Sequence, residues 1–295
     1  MSNTKNEVDV TIIGGGPAGL AAALTLSRGG RTSVVLDAGS PRNAAARQMH
    51  GYPGFDGVAP SEFRAIARGQ IDKYRMAQFV PQRALNVTGQ KDQFRIATNG
   101  GTWHSRRVLI ATGLIDELPP VPGLEEIWGD RAFICPYCHG WEFRNQPWGY
   151  WPHNSEELAF GFFLLEWTMN LTVFAPTGSE IPETLHKKFR ERGIQIATEP
   201  VSIEKHEDGI LVSSADQRFE LAALAMRFPQ RQTDLAAGLG LEMDGTFIRV
   251  DGLMETSIPG LFAAGDSTTQ MQQALAAAAI GSRAGTAIHK SLAGV

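Results

Sequence analysis

Val8-Asp9-Val10-Thr11-Ile12-Ile13 runs into Gly14-Gly15-Gly16-Pro17-Ala18-Gly19, and the reading of this stretch decides the fold. The first six residues are rich in β-branched side chains and predict a strand. Leu20 to Arg28 then reads as a helix, stopped by Gly29-Gly30, and Thr32 to Leu36 as a second strand ending at Asp37. Together these form a β-α-β unit. A lone Gly14-x-Gly16-x-x-Gly19 is a weak signal, because a tight turn needs no ligand. Here it follows a strand, opens a helix and is followed by an acid at the end of the next strand. Glycines let a backbone approach a pyrophosphate, a helix N-terminus offers unpaired N–H groups, and an aspartate accepts hydrogen bonds from a ribose. Gly14, Gly16, Pro17, Ala18, Gly19 and Asp37 are therefore candidate dinucleotide-binding residues.

Working outward, His50 to Gly57 is a Gly/Pro-rich turn region, and Ser61 to Ala77 predicts a helix capped by Ser61. Short β segments follow, up to Arg107–Gly113. Leu118-Pro119-Pro120-Val121-Pro122-Gly123 reads as a linker. A second α/β region extends to about Gln230, with a strand–turn–helix start near residue 148 that has the look of a degenerate duplication of the first. Leu158 to Phe174 predicts an amphipathic helix followed by a strand. Glu166 makes it too polar, and its length too short, to span a bilayer. The chain closes with glycine-punctuated strands and an Ala-rich helix from Gln272 to Leu292. A length of 295 residues suits two domains. The net charge of −4 gives no reason to expect nucleic acid or an anionic membrane as partner. No basic-then-apolar leader opens the chain, which leads to an expectation of a cytoplasmic protein.

The two cysteines sit three apart in Cys135-Pro136-Tyr137-Cys138-His139-Gly140. A structural disulfide framework needs more of them, and a zinc site needs two further ligands that no second C-x-x-C or H-x-x-x-H supplies. A redox pair is the better reading, and no metal is expected. Placed at a helix N-terminus, such a pair gains a lowered thiol pKa.

Three further stretches carry a resemblance. Thr256-Ser257-Ile258-Pro259-Gly260-Leu261-Phe262-Ala263-Ala264-Gly265-Asp266 resembles the second FAD motif of low-molecular-weight thioredoxin reductases, which belong to class II of the pyridine-nucleotide–disulfide oxidoreductases. Ala111-Thr112-Gly113 resembles the loop between that family's motifs, and Gln272-Gln273-Ala274 the start of the helix that faces the flavin. The cysteine segment resembles the active site. The resemblance implies an α/β, two-domain Rossmann-like fold. In it, residues 1–117 and 233–295 form an FAD domain around an inserted region, 118–232, that carries the C-x-x-C. It also implies FAD as cofactor, with Ala111, Thr112, Gly113, Gly265, Asp266, Gln273 and Ala274 around it, and a homodimer. Cys138 becomes the flavin-proximal thiol and Cys135 the exchanging one. Where thioredoxin reductases carry an aspartate after the second cysteine, this chain has His139. That departure also occurs in dithiol oxidases that close disulfides in small natural products. An imidazole serves as acid or base near neutral pH, so His139 is a candidate proton carrier beside a plain surface role. His50, in Met49-His50-Gly51-Tyr52-Pro53-Gly54-Phe55, is a weaker candidate.

The family's second, NADPH-binding glycine turn has no counterpart. Its place holds Pro152-His153-Asn154-Ser155-Glu156-Glu157, without glycines and with two carboxylates where a helix should greet a diphosphate. The arginines that read the 2′-phosphate are absent after Val173-Phe174-Ala175-Pro176-Thr177. The second domain is thus expected to keep its fold and lose its cofactor, with Trp148, Tyr150 and Trp151 as strand core. Three functions follow, in this order: reduction of a protein disulfide, such as that of thioredoxin, by a donor other than NADPH, such as ferredoxin; oxidation of a dithiol, with electrons passing from FADH2 to oxygen; and a flavin redox sensor without turnover.

Overall fold

A computed structural model describes residues 6–215 and 217–295. The chain forms two compact units. One gathers the residues up to Ala44, Tyr52–Ile115 and Gln230–Val295, and the other Ala45–Gly51 and Asp116–Pro229. The short segment 45–51 thus groups with the inserted region rather than with the flanking chain.

In the first unit, β1 (Glu7–Ile13) leads into helix α1 (Pro17–Arg28) and β2 (Ser33–Leu36). The helix begins three residues before the expected Leu20, because Pro17 occupies its first turn, where a missing N–H costs nothing. Helix α2 (Pro60–Asp72) precedes β3 (Ala77–Val80), and β4 (Ala84–Thr88), β5 (Phe94–Thr98) and β6 (Gly101–Ile110) follow. The sheet order is β3-β2-β1-β6-β5-β4. The pairs from β3 to β6 are parallel and the last two antiparallel. Val10 to Ile13 are all buried, which is why β1 reads as a continuous apolar run. Helix α2 is shorter than the expected 61–77. Pro60 starts it, Ala59 is its N-cap without a side-chain bond, and Arg75, at φ +55, lies in the left-handed region soon after its end.

The second unit has a five-stranded, all-parallel sheet built from β7 (Ala132–Phe133), β8 (Trp148–Trp151), β9 (Leu171–Ala175), β10 (Gln195–Thr198) and β14 (Ala223–Met226). Its order is β10-β9-β8-β14-β7, so β8 is flanked on both sides, as β1 is in the first unit. An antiparallel meander, β11 (Ser202–Lys205), β12 (Ile210–Ser214) and β13 (Gln217–Leu221), adds three strands. One turn of helix, α3 (Pro136–His139), carries the cysteines, and α4 (Glu183–Glu191) connects β9 to β10. Trp148 and Tyr150 are fully buried in one core and Trp151 in another, as alternation along a strand demands. The single helix expected from Leu158 is broken. A 3-10 stretch, Ser155–Phe160, gives way to one α turn, Gly161–Leu164, and β9 follows. Gly161 and a run of aromatics are poor helix formers, and the Thr168 hydroxyl donates to the Gln146 and Asn170 carbonyls rather than joining a helix.

The chain then returns to the first unit. Strand β15 (Leu261–Ala263) runs parallel to β6, and α5 (Ala274–Ala293) packs along α1. Gly281 makes that packing possible, because a Cβ there would overlap the Ala18 carbonyl.

Candidate functional site: a glycine cradle and a disulfide turn

The glycine turn is made of close backbone approaches. Gly14 has φ +116, and a Cβ on it would overlap the Ala111 carbonyl oxygen. One on Gly15 would overlap the Asp37 carboxylate, and one on Gly19 the Gly14 carbonyl. At Gly16 nothing lies within 4 Å of the same position. This open space adjoins the N-terminus of α1, which has no side-chain cap and no acid in its first turn. Pro17 and Ala18 form that first turn, and a Cβ on Gly265 (φ +83) would come within 2.9 Å of the Ala18 Cβ.

The sequence motifs therefore converge. Ala111 meets Gly14, Asp37 meets Gly15, and Gly265 meets Ala18. Gly113 has φ +65, and the hydroxyls of Thr112 and Thr233 are 3.4 Å apart. Gln273 is the N-cap of α5 and Ala274 its first residue. Two arginines that the sequence did not single out complete the region. Arg42 donates to Asp266 at 3.0 Å, and Arg68 forms an ion pair with Asp37, which also accepts from the Gly39 N–H at 3.0 Å. Arg64 and Arg68, four apart on α2, were the available signal for a basic helix face near Asp37.

In the second unit, Cys135 and Cys138 are joined as a disulfide, with Cα atoms 5.2 Å apart. Cys135 is the N-cap of α3, as expected, but α3 is a single turn. The thiols therefore have local N–H groups near them and no extended helix dipole behind them. Tyr137 and Trp141 beside them are 64% and 71% exposed.

His139 stacks on Phe133, ring centroids 5.3 Å apart and planes within 8°. Both its ring nitrogens are buried, and the Gly129 backbone is placed to hydrogen-bond the ring. Burial pushes its pKa below the usual value. The Glu142 carboxylate, the Gly129 backbone and Asp130 pull the other way, and His50 adds to the lowering. His50 Nε2 lies 3.5 Å from Glu142 Oε1. Its segment belongs to the same unit as the cysteines, which distance along the chain concealed. Glu142 was also missed; its spacing of three from His139 was the only hint.

The turn after β8 is closed by its own side chains. Asn154 caps the 3-10 stretch by accepting from the Glu157 N–H at 3.2 Å, and the Glu157 carboxylate accepts from the His153 N–H at 3.0 Å. After β9, the Thr177 N–H donates to Glu199 at 3.0 Å, which places a carboxylate beside that loop. Among the described residues, no cluster of His, Cys, Asp and Glu has the makings of a metal site, and no helix is long and apolar enough to cross a membrane.

Comparison with known proteins agrees with this architecture. The family model described as pyridine nucleotide-disulphide oxidoreductase matches residues 8–159 and 164–281. The chain is 33% identical to thioredoxin reductase tcpT of Claviceps purpurea, over 92% of this chain and 89% of that one. It is 31% identical to thioredoxin reductase sirT of Leptosphaeria maculans, over 98% and 95%. The crystal structure of an oxidoreductase from Agrobacterium tumefaciens superposes with a TM-score of 0.90 at 34% identity, covering 97% of this chain and 99% of that one. A fold with parallel strand pairing in each unit, a C-x-x-C disulfide and these matches make the chain a thioredoxin-reductase-like enzyme, a member of the pyridine nucleotide-disulphide oxidoreductase family.

Proposed function

We propose that the chain is an FAD-dependent dithiol oxidase, which takes electrons from a dithiol through Cys135–Cys138 and does not use a nicotinamide. The observation that carries this reading is the closed turn after β8. Asn154 and Glu157 already satisfy the backbone N–H groups that would meet a diphosphate, and Glu156 and Glu157 add negative charge. With that route closed, the thiol pair is the way in for electrons, and dioxygen needs no docking site. This reverses the order that the sequence alone suggested.

The first unit's residues fit the diphosphate of FAD. Gly16 leaves room at the uncapped N-terminus of α1, Asp37 ends β2 where a ribose is expected, and Asp266 with Arg42 borders the same cradle through Gly265. FAD held by these residues would supply a two-electron acceptor for the reduced cysteine pair, reoxidisable by dioxygen with hydrogen peroxide as product.

The protein's own steps are thiol–disulfide exchange. A substrate thiol gives its proton to neutral His139, and the resulting thiolate attacks Cys135. A substrate–Cys135 bond forms, the Cys135–Cys138 bond breaks, and Cys138 leaves as thiolate. The second substrate thiol attacks the substrate sulfur of the mixed disulfide, its proton passing to the departing Cys135 sulfur, which is released as a thiol. The substrate is oxidised by two electrons and the cysteine pair reduced by two. The lowered pKa of His139 keeps its imidazole neutral, and so able to accept a proton, at neutral pH.

A second reading, reduction of a protein disulfide by a donor such as ferredoxin, is favoured by the exposed Tyr137 and Trp141 beside the cysteines and by the names of the fungal relatives. One anaerobic experiment separates the cases. Dithiothreitol is expected to bleach the flavin band, NADPH to leave it unchanged, and readmitted oxygen to restore it with release of peroxide. Bleaching by NADPH overturns the proposal. Flavin that dithiothreitol cannot bleach, but that exchanges electrons with the disulfide once photoreduced, supports the second reading. Flavin that does neither leaves a sensor.

A further inference from the structure

The chain re-enters the first unit at Gln230. Between there and Thr233, three side chains reach three separate parts of the cofactor cradle. Gln230 and Gln272 exchange both amide hydrogen bonds. Gln230 Nε2 donates to Gln272 Oε1 at 3.0 Å, and Gln272 Nε2 donates to Gln230 Oε1 at 2.7 Å. Gln232 Nε2 donates to the Ser267 carbonyl at 3.0 Å and to the Thr246 carbonyl at 2.8 Å. The Thr233 hydroxyl lies 3.4 Å from that of Thr112. The segment thus ties together the start of α5, the turn that follows Gly265-Asp266, and the loop at 111–113.

Two features set these bonds apart from ordinary packing. Gln232 is 6% exposed, and its two partners are carbonyl oxygens, so its Nε2 must be the atom that faces them. Its own Oε1 is buried and, among the described residues, has no partner. An open, buried acceptor costs stability, which the two donations have to offset. What the amide holds is the turn just past Asp266, which the Ser267 and Thr268 hydroxyls close from within through the Ala264 and Gly265 carbonyls.

The second feature is electrostatic. Helix α5 begins with no side-chain cap and no acid in its first turn, as α1 does. The two starts adjoin through Gly265, where a Cβ would meet the Cβ of Ala18 at 2.9 Å and that of Ala277 at 3.8 Å. Two helix N-termini side by side bring like partial charges together and leave their first N–H groups open. Until an electron-rich ligand fills the space between them, side contacts have to hold them there.

We propose that Gln230, Gln232 and Thr233 form a positioning bracket for the cofactor cradle: they fix the start of α5, the turn after Asp266 and the 111–113 loop before FAD binds. None is a catalytic residue; each acts through the segment it holds. The gain is preorganisation, because segments already ordered in the apoprotein need not be ordered on binding. The bracket rests on the FAD reading but not on the direction of electron flow.

Gln230 and Gln272 are only partly buried, so cutting their pair should leave folding intact. In Gln230→Leu, the apoprotein should melt as the wild type does. Its FAD dissociation constant, read by flavin fluorescence titration, should rise about tenfold, the upper range for one lost hydrogen bond. Gln272→Leu should behave alike, and the double variant no worse, because the second change removes a partner already idle. Gln232→Met keeps the side-chain length and donates nothing, so it should weaken FAD binding further. If that buried change prevents folding, the Gln230–Gln272 pair decides alone.

A lower apoprotein melt with unchanged FAD affinity marks a purely structural role and overturns the bracket. Additive losses for Gln230→Leu and Gln272→Leu overturn it too, since the two would then act separately. If the wild type and every variant take up FAD equally well, the bracket falls and the FAD reading stands. If the wild type itself gives a flat titration, the FAD reading falls and takes the bracket with it.

Discussion

Gly16 and Gly19 look interchangeable in the motif and do different work. Gly19 is a packing residue, since any Cβ there overlaps the Gly14 carbonyl. Gly16, with φ −77 and ψ −176, is in a conformation that any residue adopts, with open space where its Cβ would go. Gly19→Ala should therefore cost about 1–3 kcal/mol of stability through overpacking. Gly16→Ala should melt as the wild type does and lose FAD, because its methyl group fills the room a diphosphate needs. Thermal melts with and without added FAD, beside a flavin-retention assay, check the pair. A Gly16→Ala protein that keeps its flavin would remove the cradle from the functional argument. At this scale much was legible: the glycines and Asp37 announced themselves by spacing. Arg42, Arg68 and Glu142 did not, because an ion pair made across the fold leaves no periodic trace in the chain.

Among the elements, the strands of both sheets were easier to read than the helices. Continuous β-branched and apolar runs such as Val10–Ile13 and Leu171–Phe174 admit few other readings once flanked by turns. Within 158–174 the expected strand is present as β9, but the helix expected before it failed because hydrophobic content was read as periodicity. Phe160, Phe163 and Trp167 pack on one another around short turns while Phe162 packs on Phe189, which a helical count cannot distinguish from an apolar face. The closing helix α5 was well placed by its alanines, yet its anchor was not foreseen. Arg107, 2% exposed, donates its Nε to the Ser291 hydroxyl at 2.9 Å, an Nη to the Ser291 carbonyl at 3.0 Å, and the other Nη to Asp92 at 2.7 Å. One guanidinium thus ties the last turn of α5 to the end of β6. Arg107→Leu should lower stability by about 1–3 kcal/mol, the cost of stranding buried acceptors. It should also raise amide exchange selectively in residues 287–293. Arg107→Lys should not restore protection, because an ammonium lacks the planar fork that makes three contacts at once. Uniform exchange along α5 in Arg107→Leu would show that packing against α1 holds the helix unaided.

For the molecule as a whole, the sequence led to an expectation of an inserted second α/β region but not to the grouping of segment 45–51 with it, since a seven-residue piece carries no composition of its own. The proposed chemistry joins residues from different units: thiols at 135 and 138 in one, and a flavin cradle around Gly16 and Asp266 in the other. This makes the electron path testable without knowing the substrate. Thiol–disulfide exchange is a two-electron reaction, so a chain with both a disulfide and FAD stores twice the electrons of a chain with FAD alone. In the Cys135→Ser/Cys138→Ser double variant, the flavin should bind normally, since no cradle residue changes. Dithionite should reduce it with half the wild-type electron uptake per chain. Dithiothreitol, expected to bleach the wild type through the cysteines, should leave the variant yellow under anaerobic conditions. Each single serine variant separates the roles further. Cys135→Ser should block attack by a substrate thiol, whereas Cys138→Ser, offered the disulfide form of a dithiol, should attack it through Cys135 and hold it as a mixed disulfide visible by intact mass, the other substrate sulfur leaving as thiol. If dithiothreitol bleaches the double variant at the wild-type rate, electrons reach the flavin without the cysteines, and the disulfide is not on the path.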